Sequence, residues 1–320
     1  MNYTVLGCGR WGSFIAWYLD HTGHKTTMWG RKHEDYVREF FKTRKNDYVT
    51  LPESIYLTSD LEEAVNKNDH IIISISSQAL RSFMQEVKQI DGYDKKTYTL
   101  CMKGIEDHTG KRLSEILIEN GVPKENISVW VGPGHIQEFT RGVPGCMVID
   151  AYDKKLSHDL IKDLRSNLIR YYQGDDIIGS EIGAAAKNVM GIAAGMLDGG
   201  GYSSLKGTLM ARGAREVSRL IKAAGGNELS AYGLCHLGDY EATLFSEHSH
   251  NRKFGENFVK GVPFDKLAEG VKTSSAMLNM AENLGVELPI TKAVNKIITQ
   301  NADPMQTLLY LFSRTNLNEF

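Results

Sequence analysis

The stretch Tyr3-Thr-Val-Leu-Gly7-Cys-Gly9-Arg-Trp-Gly12 decides the fold of this 320-residue chain. An apolar run leads directly into three glycines spaced G-x-G-x-x-G, and a helical pattern follows. In such a loop Gly7 permits a tight turn, Gly9 lets the backbone approach a pyrophosphate, and Gly12 lets the helix pack close to the sheet. The unpaired N–H groups at the helix start also attract phosphate. The stretch predicts a Rossmann βαβ unit that binds a dinucleotide, with an ordinary glycine turn as the alternative.

Short apolar runs alternate with helical patterns through the first half of the chain. This order is typical of a parallel sheet wrapped by helices. The run that starts at His70 is apolar without alternation, as expected of a strand covered on both faces. Strands are predicted over Tyr3–Leu6, Lys25–Trp29, His70–Ile75, Tyr98–Met102, Ile127–Val131, Cys146–Ile149 and Ile169–Tyr172.

After about Ile178 the strand signals end, and helical periodicity continues to the carboxyl terminus. The segment Ser274–Leu284 carries apolar residues at helical spacing, and Pro289 is expected to open the next helix. We therefore predict an α/β Rossmann-type parallel-sheet domain over residues 1–178. An all-α helical domain with the substrate-binding and catalytic residues is predicted over residues 179–320.

Composition and charge exclude several classes of protein. The 37 basic side chains nearly balance the 39 acidic ones, for a net charge of −2, so nothing draws the whole chain to nucleic acid or an anionic membrane. No secretory leader is evident, and no apolar stretch approaches the ~20 residues that a membrane helix needs. The four cysteines have no metal-type spacing. We expect a cytoplasmic protein with reduced cysteines, a small-molecule substrate and no metal, nucleic-acid or membrane partner.

The residues after the second predicted strand indicate which dinucleotide binds. An NAD site usually has Asp or Glu there to bind the ribose 2′-hydroxyl. Here the strand runs into Gly30-Arg31-Lys32, which carries two cations and no carboxylate. Two cations suit a 2′-phosphate, so NADP is favoured and NAD is the second choice. A solvated loop charge is the alternative interpretation of Arg31.

A lysine stands out within the small and apolar residues 183–195. Lysine is seldom buried without a partner, so Lys187 either reaches the surface or carries chemistry. Its small neighbours would let a substrate or a nicotinamide ring approach the helix. Asp239, in a predicted turn between helices, is the expected carboxylate partner. Lys103 follows a parallel strand, where doubly wound sheets bind their ligands, although a solvated charge is the commoner role there.

Nine motifs together resemble NAD(P)-dependent glycerol-3-phosphate dehydrogenase of the bacterial type. They occur in the order and at the spacing of that family and cover almost the whole chain. The motifs are Gly7–Gly12, Trp29-Gly-Arg31, Lys103-Gly-Ile-Glu106, Gly132-Pro-Gly134, Lys187-Asn-Val189, Leu237-Gly-Asp239, Ser249-His-Asn-Arg-Lys-Phe-Gly255, Glu269-Gly270 and Leu288-Pro-Ile-Thr291.

The resemblance implies an oxidoreductase that interconverts dihydroxyacetone phosphate and sn-glycerol 3-phosphate. It implies a cytoplasmic homodimer that feeds glycerophospholipid synthesis. By position Lys187 would be the proton donor and acceptor, with Asp239 as its partner and Lys103 as a third catalytic residue. The cofactor would contact Gly7, Gly9, Arg10, Trp11, Gly12, Arg31, Lys103, Ile136 and Glu269. The substrate would contact Lys103, Gly132, Gly134, Lys187, Asp239 and, around its phosphate, Ser249, His250, Asn251 and Arg252.

Three positions differ from the family pattern. His250 stands in place of arginine, Ser204 in place of asparagine, and Ser76 in place of proline. These differences leave open a related NADP-dependent reductase or dehydrogenase of the same fold that acts on another small ketone or alcohol. A nucleotide-binding regulator without catalysis is a further alternative, and the presence of Lys187 and Asp239 argues against it.

Overall fold

The computed structural model describes residues 1–313, which form two compact units. The first unit comprises Met1–Lys103 and Arg112–Glu181, and it contains the sheet. The second comprises Gly104–Lys111 and the chain from Ile182 onward, and its described part is helical. The sequence-based boundary between two domains at residue 178 remains a prediction.

A single eight-stranded sheet has the order β3-β2-β1-β4-β5-β6-β7-β8. The chain therefore starts in the middle of the sheet, builds outward to β3, and resumes on the other side of β1. This reversal between β1 and β4 is the point at which doubly wound sheets bind their ligands. The strands are β1 Asn2–Leu6, β2 Lys25–Trp29, β3 Tyr56–Thr58, β4 His70–Ile73, β5 Thr97–Leu100, β6 Ile127–Val131, β7 Gly145–Ala151 and β8 Ile169–Gln173.

Seven α-helices lie between the strands in the sequence, and the other described α-helices follow the last strand. Between residues 1 and 313 no helix is long and apolar enough to span a membrane. The α-helices are α1 Arg10–His21, α2 Asp35–Thr43, α3 Leu61–Lys67, α4 Leu80–Val87, α5 Leu113–Glu119, α6 Ile136–Phe139, α7 Lys154–Leu164, α8 Ile177–Gly199, α9 Lys206–Ala223, α10 His250–Lys260, α11 Gly270–Leu284, α12 Pro289–Gln300 and α13 Pro304–Tyr310.

The predicted fold class is confirmed, with two differences in the sheet. All seven predicted strands are present, two of them with the predicted bounds (Lys25–Trp29 and Ile127–Val131) and five with shifted ends. The edge strand β3 was missed because three residues leave too short a pattern. The strand β7 runs antiparallel to β6, whereas every other described pair is parallel. Its connection to β6 contains only the four-residue α6, which is too short to serve as a crossover helix over the sheet.

The first unit is organised around α1, which follows the glycine loop. Its apolar face is buried, and the ring of Phe14 stacks on that of Phe139 at 5.3 Å. The hydroxyl of Tyr18 donates to the carbonyl of Leu164 at 2.6 Å. These contacts hold α1 against α6 and the end of α7.

The second unit contains a regular stripe along α8, formed by Gly183, Lys187, Gly191, Gly195 and Gly199. We call these five residues the α8 stripe. They recur every fourth position, so successive members are neighbours on the helix surface and form a ridge that winds gradually around the helix. A side chain at Gly195 would overlap the carbonyl oxygen of Arg252, and one at Gly199 would come within 2.8 Å of the carbonyl oxygen of Glu256. The helix α10 thus lies against the backbone of α8.

The α8 stripe corrects one sequence-based expectation. The small residues around Lys187 were expected to leave space for a substrate or a nicotinamide ring. At the stripe glycines that expectation is wrong, because protein atoms take the space. A side chain at Gly191 would come within 2.9 Å of a Thr243 methyl and 3.3 Å of the β-carbon of Asn251.

Candidate active site

The glycine loop of the first unit has the geometry of a phosphate cradle. Gly7 has a φ of 115°, and a β-carbon there would overlap the carbonyl oxygen of Ser74. At Gly12 a β-carbon would overlap the carbonyl oxygen of Gly7. Around Gly9, in contrast, no atom lies within 4 Å of the position that a β-carbon would take. The loop is therefore tightly folded except at Gly9, where its backbone can be approached from outside.

The side chain of Arg10 supports an anionic ligand at this loop. Its guanidinium lies 5.3 Å from the ring centroid of Tyr48. Its Nε is buried and makes no hydrogen bond in the described structure, and burial lowers the pKa of Arg10. A buried donor without an acceptor costs about 1–3 kcal/mol. A pyrophosphate bound at the start of α1 would supply acceptors, so the residues present fit a dinucleotide.

Arg31, the expected ligand of a 2′-phosphate, is held by a carboxylate that the sequence patterns did not reveal. Its Nη2 and Nη1 donate to the two carboxylate oxygens of Glu86 at 2.8 and 3.2 Å. The hydrogen bond to Glu86 raises the pKa of Arg31. The guanidinium also lies over Trp29 and Phe83, at 5.7 and 5.9 Å from their ring centroids. Arg31 is thus an oriented group rather than a freely solvated charge.

Lys103 and the Gly132–Gly134 loop lie together in the first unit. The ammonium of Lys103 donates to the carbonyl of Gly132 at 2.6 Å and lies 5.7 Å from the ring centroid of Trp11. Lys103 and Trp11 help to line a cavity together with Cys101 and neighbouring apolar side chains. Ile136 is fully buried, so this structure exposes none of its atoms to a cofactor.

Lys187 of the second unit is buried and paired rather than exposed. Its ammonium lies 2.7 Å from Oδ2 of Asp239 and donates to the hydroxyl of Thr243 at 3.0 Å. Both charged side chains are almost inaccessible, with exposed fractions of 10% for Lys187 and 1% for Asp239. The expected pairing of these two residues is therefore present in the structure. Such a pair holds the lysine nitrogen in one place.

The segment Ser249–Arg252 forms the beginning of α10. Ser249 caps the helix, since its hydroxyl accepts the backbone N–H of Arg252 at 3.3 Å. The side-chain oxygen of Asn251 accepts the backbone N–H of Gly270 at 2.9 Å. The ring of His250 meets that of Phe264 edge to face, with centroids 6.3 Å apart. A helix start with polar side chains is a suitable anion site.

Asp198 joins the two cations next to this segment. Its Oδ2 lies 2.6 Å from both the Lys206 ammonium and Nη1 of Arg252. Its Oδ1 accepts the hydroxyl of Ser203 at 2.6 Å. Burial raises the pKa of Asp198, but hydrogen bonds from Lys206, Ser203 and Arg252 outweigh that effect and lower its pKa overall. Asp198 is therefore ionised, and it orients both cations.

The structure also describes the remaining residues that the sequence analysis considered. Glu269 immediately precedes α11 in the second unit, while Ser204 and Ser76 are exposed. All four cysteines are free thiols. Within the described part of the chain, no group of His, Cys, Asp or Glu is arranged to hold a metal ion.

Comparison with known proteins decides the family. The family described as NAD-dependent glycerol-3-phosphate dehydrogenase matches through its amino-terminal model over residues 2–157 and through its carboxyl-terminal model over residues 176–309. The chain belongs to this family. The expected class of enzyme, an oxidoreductase that uses NAD or NADP, is confirmed with it.

The similarity to individual relatives covers nearly the full length of the chain. Curated glycerol-3-phosphate dehydrogenases [NAD(P)+] from Prosthecochloris aestuarii and Macrococcus caseolyticus are each 34% identical to this chain, and cover 98% and 100% of it and the same shares of their own lengths. The crystal structure of glycerol-3-phosphate dehydrogenase from Coxiella burnetii superimposes with a TM-score of 0.90 at 27% identity, over 98% of this chain and 99% of that one.

Several polar residues of the site region were not identified from sequence. Thr243 lies in a π-helical turn with no recognisable motif. Asp198 follows small and apolar residues shortly before a glycine-rich turn, and its charge was the only available signal. Glu86 lies on α4, far along the chain from Arg31, so no local pattern could connect them.

Proposed function

We propose that this chain interconverts dihydroxyacetone phosphate and sn-glycerol 3-phosphate by hydride transfer with NADPH, with Lys187 as the proton donor and acceptor. The observation that carries the proposal is the buried pair of Lys187 and Asp239, at 2.7 Å, in a chain of the glycerol-3-phosphate dehydrogenase family. A lysine seldom occupies such a buried position unless it is paired and has a role there.

The chemistry follows from the requirements of ketone reduction. A bound nicotinamide cofactor supplies the hydride. As the ketone carbon is reduced, negative charge develops on its oxygen, and the Lys187 ammonium stabilises that charge and delivers a proton. In the reverse direction neutral Lys187 accepts the hydroxyl proton. Asp239 and Thr243 accept hydrogen bonds from the same nitrogen and hold its direction.

The substrate phosphate is assigned to the start of α10. Ser249, His250, Asn251 and Arg252 supply backbone and side-chain donors there, and the positive end of the helix favours an anion. In Arg252 the Nε donates to the carbonyl of Ser246, and Nη1 donates to the carboxylate of Asp198. Its Nη2 can then meet a phosphate, with Asp198 fixing the plane of the guanidinium. We assign Lys103, Gly132 and Gly134 to the remainder of the substrate.

NADPH is proposed as the preferred dinucleotide because of Arg31 and Lys32. The glycine loop with Arg10 and Trp11 would bind the pyrophosphate, and Arg31 would face the 2′-phosphate. We extend the cofactor contacts to Ile136 and Glu269 by the family resemblance alone. A cytoplasmic homodimer that feeds glycerophospholipid synthesis is likewise proposed from the resemblance. Sedimentation velocity would test the dimer, which should sediment with twice the mass of the chain.

A panel of ketones tests the substrate. Purified protein with NADPH should reduce dihydroxyacetone phosphate with a kcat/KM at least tenfold above that for dihydroxyacetone, because the unphosphorylated ketone lacks the contacts at α10. Glyceraldehyde 3-phosphate and a longer ketone phosphate serve as controls for the carbonyl and for size. A higher kcat/KM for any other member of the panel would contradict the substrate and favour the related reductase of the same fold.

A further inference from the structure

His236 occupies a buried position beside the Lys187–Asp239 pair that the proposed reaction does not use directly. The residue is fully buried and immediately precedes the short helical turn Leu237–Asp239. Its Nδ1 lies 2.8 Å from the carbonyl oxygen of Gly183, and its Nε2 lies 2.7 Å from the hydroxyl of Tyr240. Both nitrogens of the imidazole are therefore engaged.

These two contacts define the protonation of the ring. A carbonyl oxygen can only accept, so Nδ1 must carry the proton. In the neutral ring Nε2 then accepts the Tyr240 hydroxyl. Burial lowers the pKa of His236 to about 4, with opposing effects from the Gly183 carbonyl and Asp239 and a smaller lowering by Lys187. The ring is thus neutral, with one tautomer, at any pH at which the enzyme would work.

The contacts join the two segments that carry the proposed proton-transfer pair. Gly183 precedes Lys187 by one turn of α8 and belongs to the α8 stripe, while Asp239 follows His236 by three residues. A side chain at Gly183 would come within 3.1 Å of both the Cys235 sulfur and the His236 β-carbon. The absence of that side chain lets the hydrogen bond form.

Tyr240 extends the connection to a second helix. A side chain at Gly213 of α9 would come within 3.1 Å of the Tyr240 hydroxyl. The rings of His236 and Tyr240 meet edge to face, with centroids 4.8 Å apart. The turn that carries Asp239 is therefore held at both of its ends, by His236 against α8 and by Tyr240 against α9.

We propose that His236 is a positioning residue for the Lys187–Asp239 pair: its Nδ1–H bond to Gly183 fixes the Asp239 turn against the helix that carries Lys187. This inference rests on the proposed role of Lys187. Asp239 approaches the Lys187 nitrogen from a separate segment, so a shift of the turn by a fraction of an ångström changes where that nitrogen points. Misplacement of about 1 Å can cost 10²-fold in rate.

Two substitutions separate the two ring contacts. In His236→Asn the amide nitrogen takes the place of Nδ1 and retains the donor to Gly183. In His236→Gln the amide lies near the place of Nε2, so the contact to Tyr240 is retained and the Gly183 contact is lost. We expect His236→Gln to lower kcat about 10- to 100-fold. His236→Asn should stay within about threefold of wild type, and the Kd of NADPH should change less than about twofold in both variants.

A double-mutant cycle distinguishes positioning from a general structural role. In the Lys187→Met background, His236→Gln should cause no further loss of kcat, because it acts through Lys187. With Lys187 intact, it should also shift the pH at which the rate of alcohol oxidation is half-maximal, since the surroundings of the lysine nitrogen change. Tyr240→Phe, which keeps the ring, should fold and give a smaller loss than His236→Gln.

Several outcomes would overturn the inference. Equal activity of the Gln and Asn variants would do so, as would additive losses in the cycle, or a wild-type pH profile in His236→Gln. If neither His236 variant folds, a Gly183→Ala variant with wild-type kcat and pH profile would count against it, because its methyl group would crowd the His236 β-carbon and disturb the same contact. Failure of the proposed function has a different signature, because Lys187→Met would then retain turnover whatever His236 does.

Discussion

At the scale of single residues, the account depends most on Lys187. Lys187→Met keeps the length of the side chain and removes the ammonium. We expect kcat for dihydroxyacetone phosphate to fall at least ~10²-fold, the usual scale for a lost acid–base group, while NADPH binds as in wild type. Lys222→Met, at an exposed lysine, is the matched control and should leave kcat unchanged. If the Lys187→Met variant kept a tenth of wild-type turnover, another group must move the proton.

Dinucleotide preference is also decided by single residues. Arg31→Asp should reverse the preference for NADPH over NADH, because a charge-assisted contact is worth about 1.5–3 kcal/mol and the new carboxylate repels the 2′-phosphate. Glu86→Gln should increase the affinity for NADPH about two- to fivefold with little change for NADH. The gain is small because the Arg31–Glu86 pair is nearly half exposed.

Isothermal titration of both dinucleotides measures these preferences. Arg38→Asp, at an exposed arginine of α2, is the control and should change neither affinity. Equal affinities of the wild-type protein for NADPH and NADH would refute the role given to Arg31. A weaker NADPH affinity in Glu86→Gln would mean that Glu86 orients Arg31 for the phosphate and does not compete with it.

The sequence identified residues whose signal is local or strongly unusual. The glycine loop depends on spacing alone, and Lys187 stands out among small residues. The partners Glu86, Asp198 and His236 could not be identified in this way, since each acts across a tertiary contact between distant segments. Whether a polar side chain is buried, and which group it pairs with, depends on the tertiary structure and is not encoded in a local sequence pattern. These partners determine how the identified residues are oriented.

At the scale of secondary-structure elements, the α8 stripe holds α10 in place. Gly195→Ala would force α10 away, because the new methyl group would overlap the carbonyl of Arg252. Overpacking of this kind costs about 1–3 kcal/mol, and we expect an unfolding free energy lower by that amount, with a higher KM for dihydroxyacetone phosphate. The control is Gly207→Ala on α9, where a methyl group meets no atom within 4 Å.

Urea unfolding and initial rates provide both quantities for Gly195→Ala. Gly207→Ala should be neutral or more stable, by up to about 1 kcal/mol, because alanine favours helix. A Gly195→Ala variant as stable as wild type, with an unchanged KM, would show that the packing of α10 on α8 is looser than described.

Elements were predictable where their pattern was long enough. The helix α12 begins at Pro289, as expected from the preference of proline for the first turn. The direction of β7 could not be predicted, because apolar alternation reports burial and not strand polarity. The three-residue β3 lies at a sheet edge, where little apolar pattern is required. Pairing between strands is set by the whole sheet.

At the scale of the whole molecule, the two units carry different parts of the proposed chemistry. The first has the glycine loop, Arg31 and Lys103, and the second has Lys187, Asp239 and the start of α10. The family membership follows from motifs spread over both units, which explains why it could be inferred from sequence. The near-neutral net charge of −2 agrees with a site whose cations are local.

The transfer of a labelled hydride tests the central claim most directly. The protein is incubated with dihydroxyacetone phosphate and NADPH that is fully deuterated at C4 of the nicotinamide, and the product is examined by mass spectrometry and NMR. We predict sn-glycerol 3-phosphate with one deuterium at C2, formed in proportion to the NADPH consumed. NADPH oxidation without label at C2 of sn-glycerol 3-phosphate, or no reaction at all, would contradict the account.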